Sequence, residues 1–95
     1  MKITFNKPVV LNGNEVKELI IGDVSTLTGR DILSAEKETR ALGENSPILH
    51  LTNTFAAVIA AKLAKVPADD IIDLPANEFL TVVLNMQNEL LGKGL

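Results

Sequence analysis

Few residues in this chain are of types that do chemistry, and their spacing limits what they could do. His50 is the single histidine. One imidazole could serve as a lone general base, but it cannot make a histidine dyad or a multi-histidine metal site. Its place in the first turn of an apolar helix puts it on that helix's polar strip. Asp69, Asp70 and Asp73 set three carboxylates within five residues. A calcium loop needs oxygen ligands at alternate positions, a glycine at the turn and a distal glutamate. Here Ile71 and Ile72 interrupt the spacing, and the role expected of Asp69 and Asp70 is to face the positive end of a short helix. Asp31, Glu36 and Glu38 share a helix with no histidine near them, which reads as a solvated face. Ser25, Ser34 and Ser46 lack the sharp strand-to-helix turn of a nucleophile elbow. Gly92-Lys93-Gly94 lacks the upstream glycine, the following Ser or Thr and the strand-to-helix context of a phosphate loop. No catalytic residue, cofactor or metal site follows, so the expectation is a non-enzymatic protein.

Charge argues against nucleic acid. The net charge is −3 over 95 residues. Residues 67–95 carry Asp69, Asp70, Asp73, Glu78 and Glu89 against Lys93 alone. The two helices over 56–91 could be read as helix-turn-helix. A DNA-reading second helix presents Arg, Lys, Asn or Gln at its start. This one opens with Asn77-Glu78 after three aspartates, and carboxylates repel phosphates. Phe5, Phe55 and Phe79 are the only aromatic residues, too few for a base-stacking platform. There is no cysteine, which excludes disulfides and thiolate metal sites and fits a cytosolic protein. Met1 leads straight into an alternating strand pattern, so no leader is expected. The longest uncharged apolar run, between His50 and Lys62, is too short to span a membrane.

The elements that carry these residues are those of one α+β domain over 1–95: an N-terminal β-hairpin, three main α-helices and a short helical turn. The hairpin is expected over 3–21. Asn12-Gly13 between alternating hydrophobic runs is a strong hairpin signal, because both residues tolerate positive φ. Pro8 lacks a backbone donor and points to an edge or a bulge. The first helix is expected over about 29–42. Thr28 caps it, Asp31 completes a capping box, and Gly43 ends it.

The central helix is expected over 47–65, capped by Ser46 with Pro47 in the first turn and stopped at Val66-Pro67. Leu51, Phe55, Val58, Ile59, Leu63 and Val66 lie on one side of it. Leu49, Ala56 and Ala60 widen that side beyond an ordinary surface helix, so the segment should be buried on several sides. The last helix, 76–91, has a polar stripe of Asn77, Thr81, Asn85 and Asn88. This is more apolar helix surface than a chain of this size needs, and surplus apolar surface marks interaction sites. The partner surface is expected at Leu63, Val83, Met86, Leu90 and Leu91, and self-association into a homo-oligomer is expected with it.

The order of motifs resembles the small tail assembly chaperones of long-tailed phages and prophages. Lys7-Pro8-Val9, Gly13, Val16 and Leu19 precede Gly29-Arg30-Asp31 and Ala35-Glu36-Lys37. Val66-Pro67-Ala68-Asp69-Asp70, Leu74-Pro75 and Glu78-Phe79 follow the long apolar helix. The resemblance runs over nearly the whole chain. Asn77-Glu78 departs from the usual pair at that place, and the Gly43–Pro47 connection is tight.

The resemblance implies binding of the tape measure protein, a long and largely helical chain kept soluble until tail tube protein displaces the chaperone. It implies action in the host cytoplasm and absence from the mature virion, with no nucleic acid, membrane or cofactor as partner. The family often makes a longer frameshift product, and Leu91-Gly92-Lys93 can be encoded by a slippery run. The alternatives are a structural subunit of the phage tail, or a small host regulator or antitoxin.

Overall fold

The computed structural model describes residues 1–92, the side chain of His50 apart. Strands β1 (Lys2–Leu11) and β2 (Asn14–Ile20) form an antiparallel hairpin, followed by α1 (Gly29–Ala41), α2 (Asn53–Ala64), α3 (Ala68–Ile72) and α4 (Ala76–Gly92). Short 3₁₀ turns occupy Val24–Thr26 and Leu49–Leu51. The α+β reading therefore holds.

The hairpin forms where Asn-Gly permits it. Asn12 and Gly13 have φ of 52° and 80°, the left-handed pair that matches the twist of the flanking strands. The ladder runs from Lys2↔Ile20 to Leu11↔Asn14 but breaks between Thr4 and Val9. Across that break Phe5, Asn6, Lys7 and Pro8 lie opposite Lys17 alone. Pro8 thus sits in a bulge, where its missing N–H leaves no hole in the ladder. Ile3, Phe5, Val9, Leu11 and Leu19 turn inward, while Lys2, Thr4, Val10, Glu18 and Ile20 face out.

Helix α1 starts as its sequence dictates. The Thr28 hydroxyl accepts from the Asp31 N–H at 3.2 Å, and the Asp31 carboxylate accepts from the Thr28 N–H at 2.9 Å. Each satisfies an orphan donor of the first turn. Those bonds hold the exposed Asp31 carboxyl below its ordinary value, the backbone N–H of Thr28 contributing most. Only Ala35 and Thr39 of α1 are fully buried, and the Thr39 hydroxyl donates to the Ala35 carbonyl at 2.7 Å. Gly43 follows with φ 101°.

The central helix is shorter than its apolar run. Helix α2 begins at Asn53, not at Pro47, because Thr52 takes an extended conformation (φ −92°, ψ 151°) and its hydroxyl accepts from the Phe55 N–H. Upstream, the Ser46 hydroxyl accepts from the Ile48 N–H at 3.3 Å. The chain then enters the 3₁₀ turn, which drops Leu49 into the core. The two capping hydroxyls thus do different work: Ser46 closes a turn, and Thr52 starts the helix. Glu44 ties the join, its carboxylate accepting from the Ser46 N–H at 3.3 Å and the Thr54 hydroxyl at 3.1 Å. At the other end Lys65 adopts φ 61°, and the Val66 N–H donates back to the Ala61 carbonyl at 3.0 Å. Such a left-handed stop satisfies the last carbonyls before Pro67.

All seven residues from Phe55 to Ala61 are buried. A helix buried all round needs neighbours on every side. Here α1, α3 and α4 pack against it. Ala56, Ala57, Ala60 and Ala61 let the neighbouring backbones approach closely, and Phe55, Val58 and Ile59 fill the space between. The acidic segment that follows holds the hairpin down. Asp70 on α3 accepts from the Asn12 N–H at 2.6 Å. Glu78 on α4, only 7% exposed, accepts from the Asn6 N–H in the bulge at 2.9 Å. These backbone donors would otherwise lack a ladder partner, and for the part-buried Asn6 N–H an unpaired state is costly. No helix among the described residues is long and apolar enough to cross a membrane.

Candidate protein interaction surface

Helix α4 has two apolar faces. The inner one carries Val82, Val83, Met86 and Leu90, all buried, together with Glu78. The outer one carries Leu80, Leu84 and Leu91, which are 46%, 54% and 55% exposed. Steps of four and seven residues return to nearly the same side of a helix, so these three leucines form one ridge. Gln87 fills the remaining place on the ridge and donates to the Asn53 side chain at 3.0 Å. Asn77, Thr81, Asn85 and Asn88 flank it and are exposed. Two of these flanking side chains turn back onto their own helix. The Thr81 hydroxyl donates to the Asn77 carbonyl at 3.0 Å, and the Asn85 amide to the Thr81 carbonyl at 2.7 Å. The ridge and its flanks carry no formal charge. Glu78 faces β1, and Glu89 is partly covered.

This corrects the surface expected from sequence. Val83, Met86 and Leu90 belong to the chain's own core, at 0%, 0% and 1% exposure. Leu63 is half-buried, and its carbonyl accepts from the Gly22 N–H at 3.1 Å where β2 leaves the sheet. Of the five, Leu91 alone stands out from the surface. The error has a physical source. A helix with leucines on one side and leucine, valine and methionine on the other offers two candidate inner faces, and periodicity alone does not say which meets α2. A cue was present in Val82-Val83 with Met86. β-branched and flexible apolar side chains fill close-packed space, and the leucines at 80, 84 and 91 form a regular seam without them.

A second apolar patch lies between α1 and the segment before α2. Leu33 on α1 and Ile48 before the 3₁₀ turn are exposed. They border a shallow hollow of about 390 Å³ with Glu36, Lys37, Arg40, Pro47 and Leu49. Arg40 crosses its rim to donate to the Ser46 carbonyl at 3.4 Å. Another hollow, about 460 Å³, opens between the bulge residues Asn6–Val9 and Pro75, Asn77 and Glu78 at the start of α4.

The residues considered for chemistry are placed apart. Asp70 faces the hairpin tip, and no group of three or more His, Cys, Asp or Glu side chains that could hold a metal ion occurs among the described residues. Ser46 is engaged in the turn before α2. The Ser34 hydroxyl accepts from Lys62 at 3.4 Å. Lys93 and Gly94, two of the three residues of the glycine-lysine-glycine motif, lie outside the described residues, as does the side chain of His50. Comparison of the chain with protein-family models, with curated proteins and with solved structures finds no match.

Proposed function

We propose that this chain is a non-enzymatic tail assembly chaperone of a long-tailed phage or prophage, one that binds the tape measure protein and keeps it soluble during assembly. The observation that carries the reading is the uncharged leucine ridge on α4. A long helical chain aggregates through its own apolar stripe, and a helix presenting a parallel stripe can cover it. From Leu80 to Leu91 the ridge spans about 16 Å at 1.5 Å per residue. One such contact is smaller than the interface of a stable complex. Binding per copy is therefore weak, many copies cover one long chain, and arriving tube subunits can displace them. The order of motifs along the chain supports the same reading. A homo-oligomer, a longer frameshift product and a cytoplasmic site of action follow from it.

Co-expression tests the proposal. The protein encoded by the very long helical reading frame expected beside this gene is produced with and without this chain. Soluble yield should rise with the chain present and fall back with Leu84→Glu. Equal solubility in the presence and absence of the chain defeats the chaperone reading. Recovery of the chain in purified particles would favour a structural tail subunit instead.

A further inference from the structure

We propose that Asn12 is a self-modifying site, at which the Gly13 backbone nitrogen displaces the Asn12 side-chain amide and the product releases the hairpin tip from α3. Of the eight asparagines, Asn12 alone is followed by glycine. In the reaction the Gly13 nitrogen attacks the Asn12 side-chain carbonyl carbon. A new C–N bond closes a five-membered imide, the old C–NH₂ bond breaks, and ammonia leaves with the proton that Gly13 gives up. Water then adds to one of the two imide carbonyls and opens the ring. One opening gives aspartate, the other isoaspartate. Water is the only co-reactant.

The structure leaves both reacting groups unengaged. Among the described residues the Asn12 side-chain amide has no hydrogen-bond partner, and neither has the Gly13 N–H. A methyl group at Gly13 would meet nothing within 4 Å, so the turn faces open space. What holds the reaction back is the backbone. Ring closure requires rotation away from the left-handed pair at Asn12 and Gly13. That rotation is opposed by the Leu11↔Asn14 pairing and by the 2.6 Å bond from the Asn12 N–H to Asp70. The Asp70 bond thus retards the clock and is also what the clock undoes. The aspartate product adds a carboxylate on the residue whose backbone N–H Asp70 holds, and like charges so placed repel. The isoaspartate product routes the main chain through Cβ, and a two-residue turn lengthened by one carbon no longer closes the ladder at Leu11↔Asn14.

The test ages the purified full chain at mildly alkaline pH and follows it by peptide-mapping mass spectrometry. The one-dalton gain that replaces NH₂ by OH should appear in the Asn12 peptide ahead of every other asparagine, with isoaspartate present. It should quicken with pH, because the deprotonated Gly13 nitrogen is the nucleophile. Asp70→Ala should quicken it severalfold. Aged protein, and separately an Asn12→Asp variant checked for helical content, should lose amide-exchange protection at the hairpin tip while α2 keeps its own. Conversion spread evenly over the asparagines, or none at Asn12 in either the wild type or Asp70→Ala, overturns the proposal. So does conversion at Asn12 that leaves exchange at the tip unchanged.

Discussion

The Glu78 carboxylate accepts a hydrogen bond from the Asn6 backbone N–H at 2.9 Å, across 72 residues of chain. One acid in the first turn of the last helix thereby satisfies the bulge of the first strand. Replacing Glu78 by Ala leaves that N–H without a partner in a half-buried place, at a cost of about 1–3 kcal/mol. Glu78→Gln keeps an acceptor and should recover part of the loss. Urea denaturation of the two variants and the wild type ranks them. Equal stability of all three would show that the bond contributes nothing.

Thr52, not Ser46, starts the central helix. Thr52→Ala should therefore cost about 1 kcal/mol, the usual value of a hydroxyl cap. Ser46→Ala, which removes a turn contact made at 3.3 Å, should cost less. The reverse order in thermal or denaturant melts would move the helix start back to Pro47.

The two faces of α4 separate by charge insertion. Leu84→Asp places a carboxylate in solvent and should leave a folded domain with an ordinary helical spectrum. Met86→Asp places one in a fully buried position, where an unpaired charge costs several kcal/mol, and should unfold the chain. Circular dichroism decides between them. A folded Met86→Asp variant would mean that the inner face is not the core.

Acid should remove the capping bond at the start of α1. Asp31 titrates below its ordinary 3.8 because it accepts bonds from Thr28. A lowered carboxylate contributes stability that is present above the unfolded value and is lost as pH falls through the folded one. The capping contribution is thus intact at neutral pH and disappears below 3.8. In Asp31→Asn that part of the acid dependence should vanish, read by following amide exchange at the start of α1 as pH is lowered. An unchanged profile would assign the acid sensitivity elsewhere.

The parts legible in the sequence were those decided by neighbours in the chain. Asn12-Gly13 announces a turn because only a left-handed pair closes a two-residue hairpin, and Thr28 with Asp31 announces a helix start because the bonds are local. The start of α2 was hidden because Ser46-Pro47 and Thr52 are both competent starts. Between them the chain bends through the 3₁₀ turn, in which Leu49 is buried. The candidate surface was hidden for the same kind of reason. Val83 and Leu84 are adjacent and equally apolar, yet one is core and the other exposed, and only the packing of α4 on α2 distinguishes them. Nor did spacing show that Asp70 and Glu78 reach back to the hairpin. The acidity of Asp70 suggests a helix dipole and that of Glu78 a surface that repels phosphate, and their partners are 58 and 72 residues away.

The bulge at Phe5–Pro8 has a consequence for how this chain meets others. A two-stranded sheet has two open edges, and open edges recruit strands from neighbouring chains into fibres. Here one edge is interrupted by Lys7-Pro8 and has the Asn6 and Asn12 N–H groups already taken by carboxylates. The other presents Glu15, Lys17 and Glu18, all exposed. Charged side chains along an open edge discourage a second copy from adding a strand there. Growth by strand addition is thus discouraged on both sides, and whatever company this chain keeps at high concentration is steered onto its helices.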